Sequence, residues 1–176
     1  MLLITKRIQE IQDASKVYQA EITFGGTRPS YDKETEIDET FDTSHITREL
    51  IEETLKNQFT GEIEQLPPVF SALKVNGKKA YKLARAGKEV ELKPRLITIY
   101  NIEILSIDLP VVTLNIHCTK GTYIRSIAND LGKALNSGAY LSGLIRTKIG
   151  DFDIANAMSP AEFQIVEFFE AADQVD

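Results

Sequence analysis

Hydrophobic residues recur at two spacings along the chain, and the change of spacing separates predicted helices from predicted strands. Two isoleucines three residues apart predict a short helix between Thr5 and Asp13, and the alternation that follows predicts a strand over Lys16 to Phe24. Gly25-Gly26 is expected to turn the chain, and the polar, acidic stretch 27–42 is expected to be a long loop.

The clearest periodicity lies further on. Thr47 is a candidate N-cap of a second helix that runs towards Gly61. Leu96 to Ile107 and Val111 to Thr119 alternate as two strands of a hairpin. Tyr123 to Leu135 carries apolar residues at i, i+3, i+4, i+7 and i+11, which predicts an amphipathic helix.

The remaining segments are expected to be shorter. After the break at Leu66-Pro67-Pro68 we expect a strand over Val69–Val75, a turn at Asn76-Gly77 and a short helix over Lys78–Ala86. Near the end of the chain we expect a strand over Lys148–Ile154 and a helix from Pro160. Strands and helices mixed without βαβ alternation predict an α+β fold with a mixed, largely antiparallel sheet flanked by helices.

Composition narrows the class of protein. A chain of 176 residues with 43% hydrophobic residues is long enough for one sizeable core, and no apolar run has membrane-spanning length, so the expected compartment is the cytoplasm. The single Cys118 and two histidines offer no spaced zinc-binding set, so we expect no metal. His117 lies within a predicted strand and is interpreted as structural.

Charge is distributed unevenly although its sum is -6. Lys74 to Arg95 has a local net charge of +6, and the bases from Lys120 to Lys148 outweigh Asp130 by four, whereas Ser30 to Glu64 and the C-terminal residues are acidic. An acidic protein can therefore present a basic face to a polyanion. The alternative is that these lysines form ordinary solvated surface.

Candidate chemistry is confined to a few segments. The chain has no Gly-x-Gly-x-x-Gly or Gly-x-x-x-x-Gly-Lys loop and no Gly-x-Ser-x-Gly elbow, so neither a nucleotide cofactor nor serine-hydrolase chemistry is expected. Lys120-Gly121-Thr122 lies where a strand leads into a helix N-terminus, a junction that offers free backbone N–H groups to an anion. Arg125 lies about 100° around that helix from Ile124 and could reach a phosphate or a carboxylate.

Five segments in series resemble the bacterial tRNA pseudouridine synthase B family in order and approximate spacing. The resemblance extends from about Thr5 to Pro160 and is closest to the short form that ends with little or no PUA RNA-binding domain. The segments are Ser15–Tyr18, Phe24–Asp32, Pro67–Gly87, Cys118–Gly132 and Gly138–Gly150.

The resemblance implies a pseudouridine synthase core that isomerises a T-loop uridine of tRNA to pseudouridine. It implies no metal and no organic cofactor, with tRNA through its T arm as the partner and no membrane. The target base is flipped out of the loop, so it needs a pocket with an aromatic face and a group that reads its edge.

The resemblance also implies roles for individual residues. By motif position, Tyr18 resembles the tyrosine that stacks on the target uracil, and Arg125 resembles the arginine that pairs with the catalytic aspartate. Tyr123 and Leu144 resemble the residues that line the base pocket. Lys74 and Lys120, one in each basic stretch, are candidate substrate contacts. Without the resemblance, Tyr18 and Leu144 would be interpreted as core residues.

One element of the family pattern is not found. The nucleophile lies in a motif Gly-x-Leu-Asp-Pro-x-Ala-Thr-Gly upstream of the lysine-x-tyrosine element, and these 176 residues contain no such string. Asp108-Leu109-Pro110 has the reverse order and lies in a predicted hairpin. We therefore expect residues 1–160 to be a partial catalytic domain without the catalytic aspartate, inactive as it stands, and 161–176 to be an acidic tail or helix without a full PUA domain.

Two other functions fit parts of the pattern. A non-catalytic RNA-binding remnant would use the basic segments to hold the T arm, and its binding would weaken steeply with salt. A protein-interaction domain would use the acidic segments and would not retain tRNA at low salt.

Overall fold

The computed structural model describes residues 2–75, 77–87 and 90–159. In chain order its helices and strands are α1 (Leu2–Asp13), β1 (Lys16–Phe24), β2 (Gly26–Thr27), β3 (Glu39–Thr40), α2 (Arg48–Gln58), β4 (Gly61–Gln65), β5 (Lys74–Val75), β6 (Lys78–Lys79), α3 (Ala80–Arg85), β7 (Arg95–Asp108), β8 (Val111–Cys118), α4 (Ile124–Ala134), β9 (Ala139–Ile149) and β10 (Phe152–Asp153), followed by a 3-10 turn (Ile154–Asn156).

Six strands form one antiparallel sheet in the order β10-β9-β1-β8-β7-β4. β1 lies near the centre, with Tyr18 opposite Ile116 of β8 on one side and Arg146 of β9 on the other. β2 with β3, and β5 with β6, form separate two-stranded ribbons. The α+β class with a largely antiparallel sheet is confirmed.

One face of the sheet and two helices enclose the core. The alternate positions of β8 from Val112 to Cys118 are fully buried, as are Ala20 and Ile22 of β1. α2 contributes Ile51 and Leu55, and α4 contributes the apolar stripe predicted from its periodicity, now seen as Ile124, Ile127, Ala128 and Leu131. Burial of each large side chain contributes about 1.5–3 kcal/mol.

α4 lies close against the start of β9. A Cβ on Gly132 would come within 2.4 Å of the backbone nitrogen of Ala139, a distance that side-chain carbons do not tolerate. Glycine at position 132 therefore permits the close approach that fixes α4, and with it Arg125, relative to the sheet.

Most predicted elements are present and three segments differ. The Thr47 cap is confirmed, because its hydroxyl accepts a hydrogen bond from the Leu50 N–H. The predicted strand over Val69–Val75 is wrong except for its last two residues, because the segment after the prolines bends, with the Ser71 N–H bonded to the Val69 carbonyl. The predicted late strand over Lys148–Ile154 is divided, because Lys148 and Ile149 end β9 while Phe152–Asp153 forms β10. The sequence pattern does not predict the rest of β9, an 11-residue strand.

Two other predictions concern residues that the structure leaves undescribed. Asn76 of the expected turn lies outside the described residues, although Gly77 has a positive φ of 78°. The helix expected from Pro160 and the tail 161–176 also lie outside them.

Candidate active site and RNA surface

Arg125, in the first turn of α4, joins three separate parts of the chain. Its Nη1 donates to the Asp32 carboxylate at 3.0 Å and to the Ser30 carbonyl at 3.2 Å, and its Nη2 donates to the Phe70 carbonyl at 2.9 Å. The Arg125 side chain is 21% exposed, so these charge-assisted bonds are only partly screened by water. The Arg125 guanidinium therefore connects α4 by hydrogen bonds to the loop 27–42 and to the segment that follows Pro67-Pro68.

The Asp32 carboxylate is also held in place by neighbouring residues of its own loop. One carboxylate oxygen accepts from the Ser30 hydroxyl at 2.7 Å and from the Glu34 N–H at 3.0 Å, which leaves the other oxygen to Arg125. Between them, Tyr31 has a φ of 65°, and its carbonyl accepts from the Leu141 N–H of β9 at 2.9 Å. A strained backbone held by several bonds is typical of a functional segment.

The start of α4 is fixed by a glutamine instead of a cap of its own. Gln65, 3% exposed at the end of β4, accepts from the Tyr123 N–H at 2.8 Å and donates to the Tyr123 carbonyl at 3.1 Å. Ser126 donates to the Leu66 carbonyl at 2.8 Å. The position of Tyr123 and Arg125 thus depends on β4 as well as on the sheet beneath them.

Two hollows lie near this helix start. The first, about 420 Å³ and here called the Arg125 hollow, is lined by Asp32, Lys33, Glu34, Arg125 and Leu141–Leu144. The second, about 690 Å³ and here called the basic hollow, is lined by α1, by the 120–123 turn and by Tyr18, Lys16, Arg95 and Arg146. Both have the volume range of small-molecule sites.

The candidate residues divide between these hollows. Arg125 and Leu144 line the Arg125 hollow, where Leu144 is 47% exposed. Tyr18, Tyr123 and Lys120 line the basic hollow. Tyr18 and Arg125 thus line different hollows that share no lining residue, and their assigned roles stay predictions. The side chain of Lys74 is outside what the structure describes.

Tyr18 is half-buried beside a cation. Burial raises the pKa of its phenol, and the Arg146 guanidinium beside the hydroxyl offsets part of that rise. The phenol therefore stays protonated at neutral pH and presents an uncharged aromatic ring.

Sequence reasoning missed Asp32 as a site residue and missed Arg146 and Lys16 as neighbours of Tyr18. Asp32 lay within a segment quoted for the family resemblance, and the Ser-x-Asp spacing that gives the Ser30–Asp32 bond was the available signal. Pairing of Arg125 with Asp32 spans 93 residues, and no local pattern predicts it.

The half-buried carboxyl of Asp130 on α4 gives a pH prediction. Burial raises the pKa of Asp130 above its usual range, with a smaller opposing effect from the Asn129 side chain that donates to it. An acid whose pKa is raised by folding stabilises the fold below its unfolded value near 3.8, and this contribution is lost as pH rises through the higher folded value. Asp130→Asn is expected to raise the free energy of unfolding at pH 7 by less than about 1 kcal/mol, since water screens part of the charge.

Denaturant titrations of both proteins at pH 7 and pH 3 measure this difference. The gain should disappear at pH 3, where the carboxyl is protonated in both states. Asp151→Asn, an exposed carboxyl, is the matched control and should change stability equally little at either pH. A destabilised Asp130→Asn protein at pH 7 would contradict the burial argument.

Comparison with known proteins now places this geometry in a family. Residues 3–124 match the model of the TruB family pseudouridylate synthase N-terminal domain. The chain belongs to this family. It is 57% identical over 159 residues to a tRNA pseudouridine synthase B of Bacteroides fragilis, covering 90% of this chain and 68% of that protein. It is 46% identical over 160 residues to one of Dehalococcoides mccartyi, covering 91% of this chain and 53% of that protein.

Structural comparison agrees with the family. A chain in the crystal structure of a Cbf5-Nop10-Gar1 complex superposes with a TM-score of 0.70 at 26% identity, covering 98% of this chain and 42% of that chain. The chain thus spans less than half of the solved protein it matches. The pseudouridine synthase fold expected from the sequence is confirmed.

The described residues contain neither a candidate metal cluster nor a helix suited to crossing a membrane. Among the described residues, no group of three or more histidine, cysteine, aspartate or glutamate side chains is placed to hold a metal ion. None of the helices in the described ranges has the length and apolar character that a membrane crossing requires.

Proposed function

We propose that the protein isomerises one T-loop uridine of tRNA to pseudouridine in the cytoplasm, and that these 176 residues supply the base pocket and much of the RNA surface. The observation that carries the proposal is the family match combined with the Arg125 network beside two open hollows. Names of the relatives support tRNA as the substrate. The T loop as the target follows from the resemblance.

The reaction is an isomerisation, so the chain's groups have to hold a nucleotide while one bond is exchanged for another. The C1′–N1 bond of the uridine breaks, the uracil turns, a C1′–C5 bond forms, and the C5 proton is lost as N1 gains one. Tyr18 presents an uncharged ring to stack the extruded base. Arg125, already held in a fixed orientation by three acceptors, would orient the acidic group that attacks the nucleoside.

The attacking carboxylate is proposed to come from outside these residues, since they contain no Leu-Asp-Pro. Asp32 does not replace it in this proposal, because both of its oxygens accept hydrogen bonds from Arg125, Ser30 and Glu34. A carboxylate occupied in this way is a poor nucleophile. Residues 1–160 are accordingly proposed to be the larger part of one catalytic domain.

A second candidate function applies to the chain by itself. Four cationic residues line the basic hollow, so RNA binding without chemistry is favoured for residues 1–176 alone. The two proposals differ in a single group, the missing carboxylate.

The test is an assay of a longer protein. The upstream segment of the Bacteroides fragilis relative, chosen to carry the family's Leu-Asp-Pro motif, is fused before residue 1 and incubated with unmodified tRNA. Pseudouridine mapping is expected to show modification at one T-loop uridine. Modification at another position, or none from a folded protein that binds tRNA, would contradict the proposal.

A further inference from the structure

The basic hollow contains more positive charge than the surrounding protein neutralises. Its cations are Lys16, Lys120, Arg95 and Arg146, and within the part of the chain that the structure describes its only lining carboxylate is Asp13. Asp13 forms an ion pair with Lys120. One lining carboxylate therefore faces four cations, which leaves the basic hollow with a net positive charge.

Three strands bring these groups together. Lys16 begins β1, with the end of β8 opposite it on one side and the end of β9 on the other. Arg146 is the β9 residue opposite Tyr18, and Lys120 lies two residues after the end of β8. Their convergence is set by the register of the sheet.

Lys16 is held close to the other cations at an energetic cost. Its ammonium donates at 2.6 Å to the carbonyls of Gln12 and Ala14 at the end of α1. Burial lowers the pKa of Lys16 and repulsion from Arg146 lowers it further, whereas attraction to Asp13 opposes the shift. An anion placed between these groups would relieve the repulsion and accept their free N–H groups.

Aromatic rings indicate which polyanion fits. Tyr18 and Tyr123 line the same hollow, so cations and π-faces alternate within it. Proteins that hold single-stranded nucleic acid combine these groups, since bases stack on rings while the backbone follows the positive charge. The carboxylates of an acidic peptide offer no aromatic base that would stack on the two tyrosines.

We propose that Arg146 and Lys16 bind one phosphodiester group of the RNA strand, within one nucleotide of the uridine whose base Tyr18 stacks. The assignment rests on the proposed function. Arg146 can meet a phosphate with two parallel N–H groups, whereas Lys16 contributes a point charge. Their role is to position the nucleotide, so that the base enters the pocket with its sugar in a defined place.

Binding of a T-arm hairpin RNA to the 176-residue chain tests this, with salt as the variable. Arg146→Gln is expected to weaken binding roughly 10-fold and to reduce the slope of log K against log salt by about 0.7, the value of one single-stranded phosphate contact. Lys56→Gln is the matched control, because this lysine lines a different hollow between α2 and β7. Thermal unfolding establishes that both variants fold.

Neutral linkages in the RNA locate the contact. Methylphosphonates are placed one at a time along the hairpin. A methylphosphonate at one position next to the target uridine should weaken RNA binding by the wild-type protein roughly 10-fold but leave RNA binding by Arg146→Gln unchanged. An unchanged salt slope in Arg146→Gln, a sensitive linkage elsewhere in the hairpin, or equal displacement by polyglutamate would overturn the phosphate site while leaving the proposed function intact. Failure of the wild-type chain to retain the RNA at low salt would overturn both.

Discussion

Arg125→Ala is expected to reduce pseudouridine formation by the fused protein at least 100-fold. The substitution removes three charge-assisted bonds at once and leaves the Asp32 carboxylate partly buried without its cation. The rate changes only through lost stabilisation of the transition state, and an arginine that orients the attacking carboxylate is expected to contribute roughly 3 kcal/mol, which corresponds to about a 100-fold change in rate. Single-turnover assays on unmodified tRNA, with protein in excess, measure the effect.

Two further variants separate charge from geometry. Arg125→Lys retains the charge but cannot contact Asp32 and Phe70 from a planar fork, so an intermediate loss is expected. Arg48→Ala removes an exposed arginine paired with Glu52 on α2 and should leave the rate unchanged. Hydrogen exchange of the backbone at 30–35 should accelerate in Arg125→Ala alone. A rate within threefold of wild type in Arg125→Ala would contradict the importance of the network.

Tyr18→Leu is expected to cause the second largest loss of pseudouridine-forming activity. A stacked base contributes about 1–3 kcal/mol, so removing the ring should lower kcat/KM of the fused protein by roughly 5- to 150-fold. Leucine fills much of the same volume, and the half-buried position next to the core should tolerate it. Steady-state kinetics on T-arm RNA give the value.

Tyr18→Phe is the control for the ring. Phenylalanine keeps the π-face and loses only the hydroxyl beside Arg146, so its loss should be clearly smaller than that of Tyr18→Leu. Equal losses in the two variants would show that the hydroxyl, and not the stacking face, carries the effect.

The sequence predicted the helices and strands in which the buried side chains recur at the regular spacing of a helix or a strand. β1, β8 and α4 each place alternate or helically spaced apolar residues in the core, and the observed burial of β8 repeats its alternation residue by residue. Thr47 could be recognised as a cap because that bond is local. The family resemblance supplied the fold that local patterns alone could only classify as α+β.

β9 was missed for a physical reason. Its alternation is interrupted at Ser142-Gly143, and its pairing with β1 shifts register near Glu21/Ile22 and again near Val17/Tyr18. The first three residues of β9, Ala139 to Leu141, are all buried, whereas Leu144 and Ile145 are exposed. Burial along β9 therefore does not follow the two-residue period on which strand prediction depends.

The site was only partly predictable because its contacts are long-range. Arg125 was identified as a polar residue free of the apolar face, but Asp32, Ser30 and Phe70 reach it from 55 to 95 residues away. The same holds for Gln65, which fixes Tyr123 from 58 residues away. Such pairs are defined by the folded sheet and leave no spacing rule in the sequence.

In the proposed function, these residues hold the RNA, and an aspartate from outside them attacks the nucleoside. The most direct measurement compares the 176-residue chain with the fused protein, on the same T-arm RNA, for both retention at low salt and pseudouridine content. We expect both proteins to retain the RNA and only the fused protein to modify it, with its Leu-Asp-Pro aspartate changed to asparagine behaving like the chain alone. Pseudouridine produced by the 176 residues themselves would contradict this division.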